Sequence, residues 1–374
     1  MRKDQNKILK EVHPARVILP LVISVAVGIY IVAVEETPPS LSDLHFNGQM
    51  AGWLLAVIAM VLMRDIGYII RLRILSDKEL SLLQSIRITF LWEFASAVTP
   101  SAIGGTSVAL LFLYKEGLSI GKGSAIVLAT FFLDELYFIL MFPLIIWLGG
   151  WQQLFEVTAG EPGSIFHNQF FWFAIAGYGV KLVIISLVSY GLFINPKAIK
   201  RLIAVIFRLP FLKRWQHDAL DAGDEIAMAS KELTAKPFSF WLKSFTATFF
   251  SWTSRYWVAN FLILALFFGL KGQLNHDILS IGEQIHIFAR QLVMWIMMMV
   301  MPTPGGTGFS EVVFLQYMDI FIPKGFSSLM AIVWRFVSYY PYLFIGAVIL
   351  PGWIRKSFKR RHAPKRSEIQ KEKA

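Results

Sequence analysis

The chain has 374 residues, of which 56% are hydrophobic, 15% aromatic and only 16% charged. That balance excludes an ordinary soluble domain and requires several apolar runs longer than a soluble core helix, the mark of a polytopic membrane protein. A formal charge of +11 would suggest nucleic acid in a soluble chain, but here Lys and Arg lie between and after the apolar runs and read as topology signals and headgroup contacts; the absence of cysteine removes thiolate metal sites and cysteine nucleophiles.

At the N-terminus, Arg2, Lys3, Lys7, Lys10 and Arg16 precede an apolar run from Val17 to Val34. The run is too long for a signal peptide and "EETPPS" is a poor cleavage site, so an uncleaved first helix is expected. Further apolar runs cover roughly 50–70, 88–114, 123–148, 170–194, 238–270, 284–317 and 326–350, making eight segments. If all eight simply cross, the loop at 149–169, which has no Lys or Arg, is cytoplasmic, and the basic loop at 195–236 is external. Both placements violate the positive-inside rule.

The third and seventh runs carry the breaks "AVTPSAIGGTSVA" and "MPTPGGTGFSE". If these two dip in and return, the loops containing Arg71, Arg73, Lys78 and Arg87, and Lys115 and Lys122, become cytoplasmic together with 195–236 and the tail "RKSFKRRHAPKR". The expected fold is therefore all-α, with six crossing helices and two re-entrant helical hairpins, and with both breaks buried in the bundle or lining a cavity. The first hairpin is marked by Thr99, Pro100, Gly104 and Gly105, the second by Pro302, Pro304, Gly305 and Gly306.

Aligning Gly104-Gly105 with Gly305-Gly306 also places Thr106 on Thr307 and Asp134 on Arg335, and Arg64 corresponds to Arg255. The chain thus reads as an inverted repeat, about 50–148 and 238–350, with the site near the midplane. The alternative is chance recurrence of Pro-Gly pairs.

"TPSAIGG", "PTPGGTGFSE" and the eight-segment layout resemble the lysylphosphatidylglycerol synthase transmembrane (flippase-like) family, over a domain at 1–350 followed by a basic cytoplasmic tail at 351–374. The resemblance implies a multi-pass inner (cytoplasmic) membrane protein, with lipid translocation as the activity of some relatives. After Leu350 the larger members' soluble aminoacyl-transfer domain is not seen, so lysylphosphatidylglycerol synthesis is not implied.

In "MPTPGGTGFSE", Pro302 and Pro304 stop the incoming half-helix, and Gly305, Gly306 and Gly308 permit a tight reversal. The returning half-helix, starting near Thr307, points free amides at the bundle centre, which suits a phosphate or else packs the hairpins together. Glu311 binds a cationic headgroup or carries a proton, or is bonded to backbone amides or an Arg. Arg64, Asp65, Asp134, Glu135, Arg255 and Arg335 all fall within apolar runs, where a charge costs about 3 kcal/mol unless paired or hydrated. One reading is a translocation path in which Arg64, Arg255 and Arg335 hold a phosphate and Asp134 or Glu135 balances them. The other is a set of structural ion pairs such as Asp134 with Arg335. His286 and Arg290 share a helix face and mark a cavity mouth or interfacial end. The aromatic clusters at Leu91 to Phe94 and at Trp252, Tyr256 and Trp257 read as anchoring and packing. In the loop at 195–236, "IKRLIAVIFRLPFLKRW" suits an amphipathic helix on anionic lipid, and "DALDAGDEIAMASKEL" a polar surface helix.

No HExxH, GxSxG, Asp-rich or nucleotide-binding motif is present, so neither a cofactor, a metal nor an enzymatic role is expected. The expected partners are anionic membrane lipids, not nucleic acid. The expected function is transport of an anionic, phosphate-containing lipid, with both termini cytoplasmic. The alternatives are a non-transporting partner presenting a lipid to an envelope-biosynthesis enzyme, and an intramembrane headgroup transferase.

Overall fold

The computed structural model describes residues 41–99, 102–155, 168–195, 216–270, 276–298, 305–323 and 325–359, with a few isolated positions besides. Most of the first apolar run, Pro100, Pro302, Pro304, the loop at 156–167, most of 196–215 and the tail beyond 359 lie outside the described residues. Among the described residues every regular element is helical and there is no strand.

Helix α1 (Gly48–Leu75) begins at Asn47, whose side chain accepts the Met50 amide at 2.8 Å. On its outer flank Leu55, Ile58, Leu62 and Ile66 recur every three or four residues and are exposed. A soluble helix turns such a stripe inward; here it suits hydrocarbon outside. The opposite flank packs on α8 (Phe238–Gly269), which runs antiparallel to it. Asn47 Nδ2 donates to Phe268 O at 2.7 Å at one end, and Ser251 Oγ donates to Arg64 O at 2.7 Å near the middle. Gly67 makes this approach possible, since a Cβ there would collide with the Ser251 hydroxyl and lie 2.8 Å from Ala247 O.

Helix α2 (Leu82–Val98) starts with a capping box made by Ser81 and Gln84 and ends at Thr99, which is extended. After the break, α3 (Ala102–Lys115) returns along α2. Gly104 and Gly105 are therefore inside a helix, not in the turn. Gly105 instead allows backbone contact, because a Cβ there would lie 2.8 Å from Ser96 Cα. Helix α4 (Ile120–Gly149), capped by Ser119, runs unbroken for 30 residues and is followed by the short α5 (Trp151–Phe155). Helix α6 (Gln169–Ser189) packs on α4 and ends in a π-helical turn at Tyr190–Ile194.

The "DAGDEIAMASKEL" stretch forms α7 (Gln216–Thr234), which docks on the start of α4. Gly121 N donates to Glu225 Oε2 at 3.3 Å across that contact, and Ser230 and Leu233 are buried, so α7 is packed on one side. The seventh apolar run divides into α9 (Ile281–Met298) and α10 (Phe309–Met318). The eighth divides into α11 (Ser327–Ser338) and α12 (Tyr340–Lys359), a division not read from the sequence, with Tyr339 at φ −129° and ψ −52° between them.

Among the described residues, four stretches are long and apolar enough to cross a membrane: Gly48–Leu75, Ile120–Gly149, Gln169–Ile194 and Ser327–Arg355. Among the described residues, two apolar cores hold the bundle. One gathers Tyr137, Phe142, Tyr256, Ile287, Phe314 and Trp334, and the other Leu75, Ile88, Leu91, Leu113, Ala129 and Leu343. Helix α1 passes from the first core at Val57 to the second at Leu72, and α4 from the second at Leu133 to the first at Tyr137. The charged pairs Arg64-Asp65 and Asp134-Glu135 fall in those changeovers, and Arg335 falls between Trp334 of one core and Tyr339 of the other. A polar layer thus separates two apolar halves at mid-bundle.

Candidate functional site

A cavity of about 500 Å³ opens within this polar layer. Both helix breaks reach it: Ser96, Ala97 and Thr99 from the end of α2, and Thr303, Gly305 and Gly306 from the turn before α10. Tyr339, at the α11–α12 interruption, ties them together. Its hydroxyl donates to Ala97 O at 2.9 Å, and Gly305 sits against its ring so closely that a Cβ would overlap it. Gly305, Gly306 and Gly308 have φ of 57°, 68° and 87°, which explains three glycines at this turn.

The turn is organised by its own ion pair. Arg335 Nε donates to Glu311 Oε1 at 2.8 Å, and Nη2 donates to Gly305 O at 3.1 Å and Thr307 Oγ1 at 3.2 Å. Glu311 Oε2 accepts the Gly308 amide and the Ser310 hydroxyl, both at 2.8 Å. The start of α10 is therefore capped by the chain's own carboxylate. Of the alternatives for Glu311, the geometry is the one bonded to amide and Arg, and Gly308 N–H in this half-helix is not free for a phosphate.

The other charges sort into pairs that differ from the expected ones. Asp134 does not meet Arg335; it is ion-paired with Arg71 and accepts Trp252 Nε1 at 2.7 Å. Glu135 takes Lys181 Nζ on both oxygens at 3.1 Å. Arg64 is shared between Glu93 and Asp65, and Asp65 also accepts the Tyr342 hydroxyl at 3.0 Å. Arg64 is 2% exposed and does not line the cavity, so the three arginines expected to grip one phosphate do not converge. Pairing is the condition for keeping such charges in an apolar bundle, since breaking one leaves a buried charge uncompensated.

Arg255 is the exception. It lines the cavity at the middle of α8 and forms no hydrogen bond or ion pair among the described residues. Its guanidinium lies against two neighbouring indoles, 4.4 Å from the centroid of Trp295 and 5.1 Å from that of Trp252, contacts that stabilise a desolvated cation by ~0.5–2 kcal/mol. Three more polar atoms at the cavity wall are buried without a partner among the described residues: Tyr256 OH, Gln291 Nε2 and Thr303 Oγ1. Each costs about 1–3 kcal/mol while unsatisfied. Gln291 lies one turn from Trp295 and one from Phe288, whose ring meets Tyr256 edge-on at 5.8 Å, which gathers Arg255, Tyr256 and Gln291 where α8 crosses α9.

Of the residues singled out from the sequence, Asp134, Glu135, Arg255, Arg335, Thr99, Gly305 and Gly306 border the cavity; Glu311 stands behind Arg335, and Gly105 packs α3 on α2. His286 and Arg290 do not line this cavity. His286 meets Gly149 O at 3.2 Å, while Arg290, 1% exposed, donates to Tyr317 O and Gln153 O and pins the α4–α5 corner. Three cavity charges were missed: Arg71, assigned to a loop; Glu93, read as part of an aromatic cluster; and Lys181, a lone cation in an apolar run. Lys181 carried the same signal as Arg255, a charge isolated among apolar residues. No group of three or more metal-ligating side chains exists among the described residues.

The sequence profile described as Lysylphosphatidylglycerol synthase TM region matches residues 17–346. A UPF0104 membrane protein of Archaeoglobus fulgidus is 24% identical over 340 residues, covering 88% of this chain and 94% of the relative. No solved structure matches. With a match running through nearly all of the apolar sequence, this chain belongs to the family of lysylphosphatidylglycerol synthase transmembrane regions.

Proposed function

We propose that the protein moves an anionic, phosphate-containing lipid headgroup across the membrane, through the mid-bundle cavity and without covalent chemistry. The observation that carries this reading is Arg255, a guanidinium lining an aromatic-walled cavity, whose counter-charges Glu93 and Asp65 act on it from farther away than a direct ion pair. A structural arginine at this depth would be expected to have one, as Arg64, Arg71 and Arg335 do.

The arrangement of crossing helices and hairpins belongs to the same proposal. Helices α2, α3, α9 and α10 have 17, 14, 18 and 10 residues. At 1.5 Å per residue these are about 26, 21, 27 and 15 Å long, short of the ~30 Å hydrocarbon core. Two re-entrant hairpins, α2–α3 and α9–α10, entering from opposite leaflets and meeting at Tyr339, account for the short lengths and for both breaks lying at one cavity. The antiparallel contact of α1 with α8, which brings the segments of Arg64 and Arg255 together, supports an inverted repeat. The basic loops support an inner-membrane orientation with both termini cytoplasmic.

The test is headgroup accessibility in proteoliposomes carrying fluorescent phosphatidylglycerol, with a membrane-impermeant quencher outside. The native chain is expected to expose inner-leaflet label, and Arg255→Gln, folded to the same extent, is expected to lose that exposure. Unchanged movement in the variant sinks the role of Arg255; no movement of any anionic lipid by the native chain transfers the reading to a membrane partner that presents lipid to an envelope-biosynthesis enzyme.

A further inference from the structure

We infer that Lys181 and Glu135 form a proton-exchange site, at which an anionic headgroup takes Lys181 from Glu135 while Glu135 takes up one proton. This rests on the transport reading for the anion and adds what crosses with it. The two side chains lie at the cavity wall, 1% and 4% exposed, Lys181 on α6 and Glu135 on α4. Lys181 Nζ donates to both Glu135 oxygens at 3.1 Å and stands 3.9 Å from the ring centroid of Phe138, one turn further along α4.

This pair differs from the others in the polar layer because nothing else holds it. Glu311 keeps an amide and a hydroxyl besides Arg335, Asp134 keeps the Trp252 N–H besides Arg71, and Glu93 feels Arg255 and Arg71 as well as Arg64. Among the described residues, Glu135 accepts hydrogen bonds from Lys181 alone, and Lys181 is the one cation that acts on it. The titratable groups on the surrounding elements are Asp134 of α4, Tyr68 and Arg71 of α1, Arg255 and Tyr256 of α8, and Tyr178 of α6, which donates to Ile139 O. Helix α9 turns the neutral Gln291 to the wall, the π-helical turn after α6 adds only the exposed Tyr190, and α3 and α7 meet α4 near Gly123 and Gly121, far along the helix. Of all these only Asp134 acts on the pair, and a second negative charge offers Glu135 no compensation.

Lys181 is also the one lysine at the cavity wall among the described residues. An ammonium on a flexible stem changes partners more readily than a planar guanidinium held as a fork. With the pair closed, an anion reaches Lys181 only by displacing Glu135. That displacement leaves a buried carboxylate with no donor, a state relieved when the carboxylate and a proton combine to the neutral acid while the ammonium passes to a phosphate oxygen. When the anion departs, Lys181 returns and the proton is released. One proton travels with each negative charge, and the coupled step is electroneutral.

The first experiment is calorimetric titration of the full chain in detergent with dihexanoyl phosphatidylglycerol at neutral pH, in two buffers of different ionisation enthalpy. Uptake of about one proton per lipid bound is expected for the native chain, and none for Glu135→Gln or for Lys181→Gln combined with Glu135→Gln, which strands no charge. The second places the native chain in vesicles carrying fluorescent phosphatidylglycerol across a pH difference of one unit. Beyond the distribution in protein-free vesicles, label is expected to collect on the side of higher pH by up to ~tenfold, and an imposed potassium diffusion potential is expected to leave the ratio unchanged. Binding to the native chain without proton uptake overturns the exchange site, whatever the variants do. Proton uptake that survives in both variants overturns its assignment to Glu135. Label that moves but ignores the pH difference overturns the coupling and leaves the transport reading standing. Proton-linked binding without movement upholds the exchange site and removes the transport reading, and neither binding nor movement overturns both.

Discussion

Replacing Arg335 by Met is expected to destabilise the protein by about 3–5 kcal/mol, because the change leaves Glu311, 2% exposed, as a buried carboxylate without its counter-ion. Within that figure, the Gly305 carbonyl and the Thr307 hydroxyl each lose a donor, a loss of about 1 kcal/mol apiece. Glu311→Gln leaves the guanidinium uncompensated and is expected to cost a comparable amount, although its amide oxygen still accepts from Gly308 N and Ser310 Oγ. The double variant has no buried charge to strand. It is expected to cost about 2 kcal/mol, the loss at Gly305 and Thr307, against a sum of about 6–10 for the singles, a coupling of at least about 4 kcal/mol. The assay is reversible unfolding in mixed micelles of dodecylmaltoside and increasing sodium dodecyl sulfate, followed by circular dichroism. Additivity of the two substitutions within about 0.5 kcal/mol would refute the view that this pair organises the turn.

Two further outcomes follow from packing and ionisation outside the cavity. Gly67→Ala puts a methyl group against Ser251 and the Ala247 carbonyl, so α1 and α8 must separate; a loss of about 1–3 kcal/mol is expected in the same assay, and a neutral result would mean that the two backbones do not approach as described. At the α3–α4 turn, burial opposes ionisation of Glu116, but hydrogen bonds from Gln84, Arg87 and Trp353 outweigh it and hold the carboxyl below the usual carboxylate range. Its contribution is therefore present above the unfolded carboxylate pKa of ~4.3 and is lost as pH falls through the lower folded value. Glu116→Gln is expected to flatten the acid limb of the melting-temperature profile; an unchanged limb would show that Glu116 is not what the acid titrates.

Gly104-Gly105 and Gly305-Gly306 show where local reading stopped. The two pairs match in sequence, yet one lies inside α3 and the other holds positive φ in a turn. A Gly-Gly pair permits both conformations, and contact with Ser96 in one case and Tyr339 in the other decides between them. Arg71 shows a different limit. Four residues from the end of α1 it resembled a loop cation, and only the approach of α4 turns it into the partner of Asp134.

What the amino-acid order determined by itself was the helical membrane class, an interruption at Thr99 and another at Gly305-Gly306, and the set of charges too isolated in apolar sequence to be ordinary surface residues. These follow from costs that each segment bears alone: apolar length, missing amides, and the price of a lone charge in hydrocarbon. The tertiary structure decided which charge meets which. Arg71 and Asp134 are 63 residues apart, and Asp65 and Tyr342 are 277 apart, so no local pattern encodes their meeting. Among the described residues, Arg255 stands out as the cavity cation without a direct ion pair only once the bundle has assigned one to each of the others, because a counter-charge is a property of helices brought together and not of any one of them.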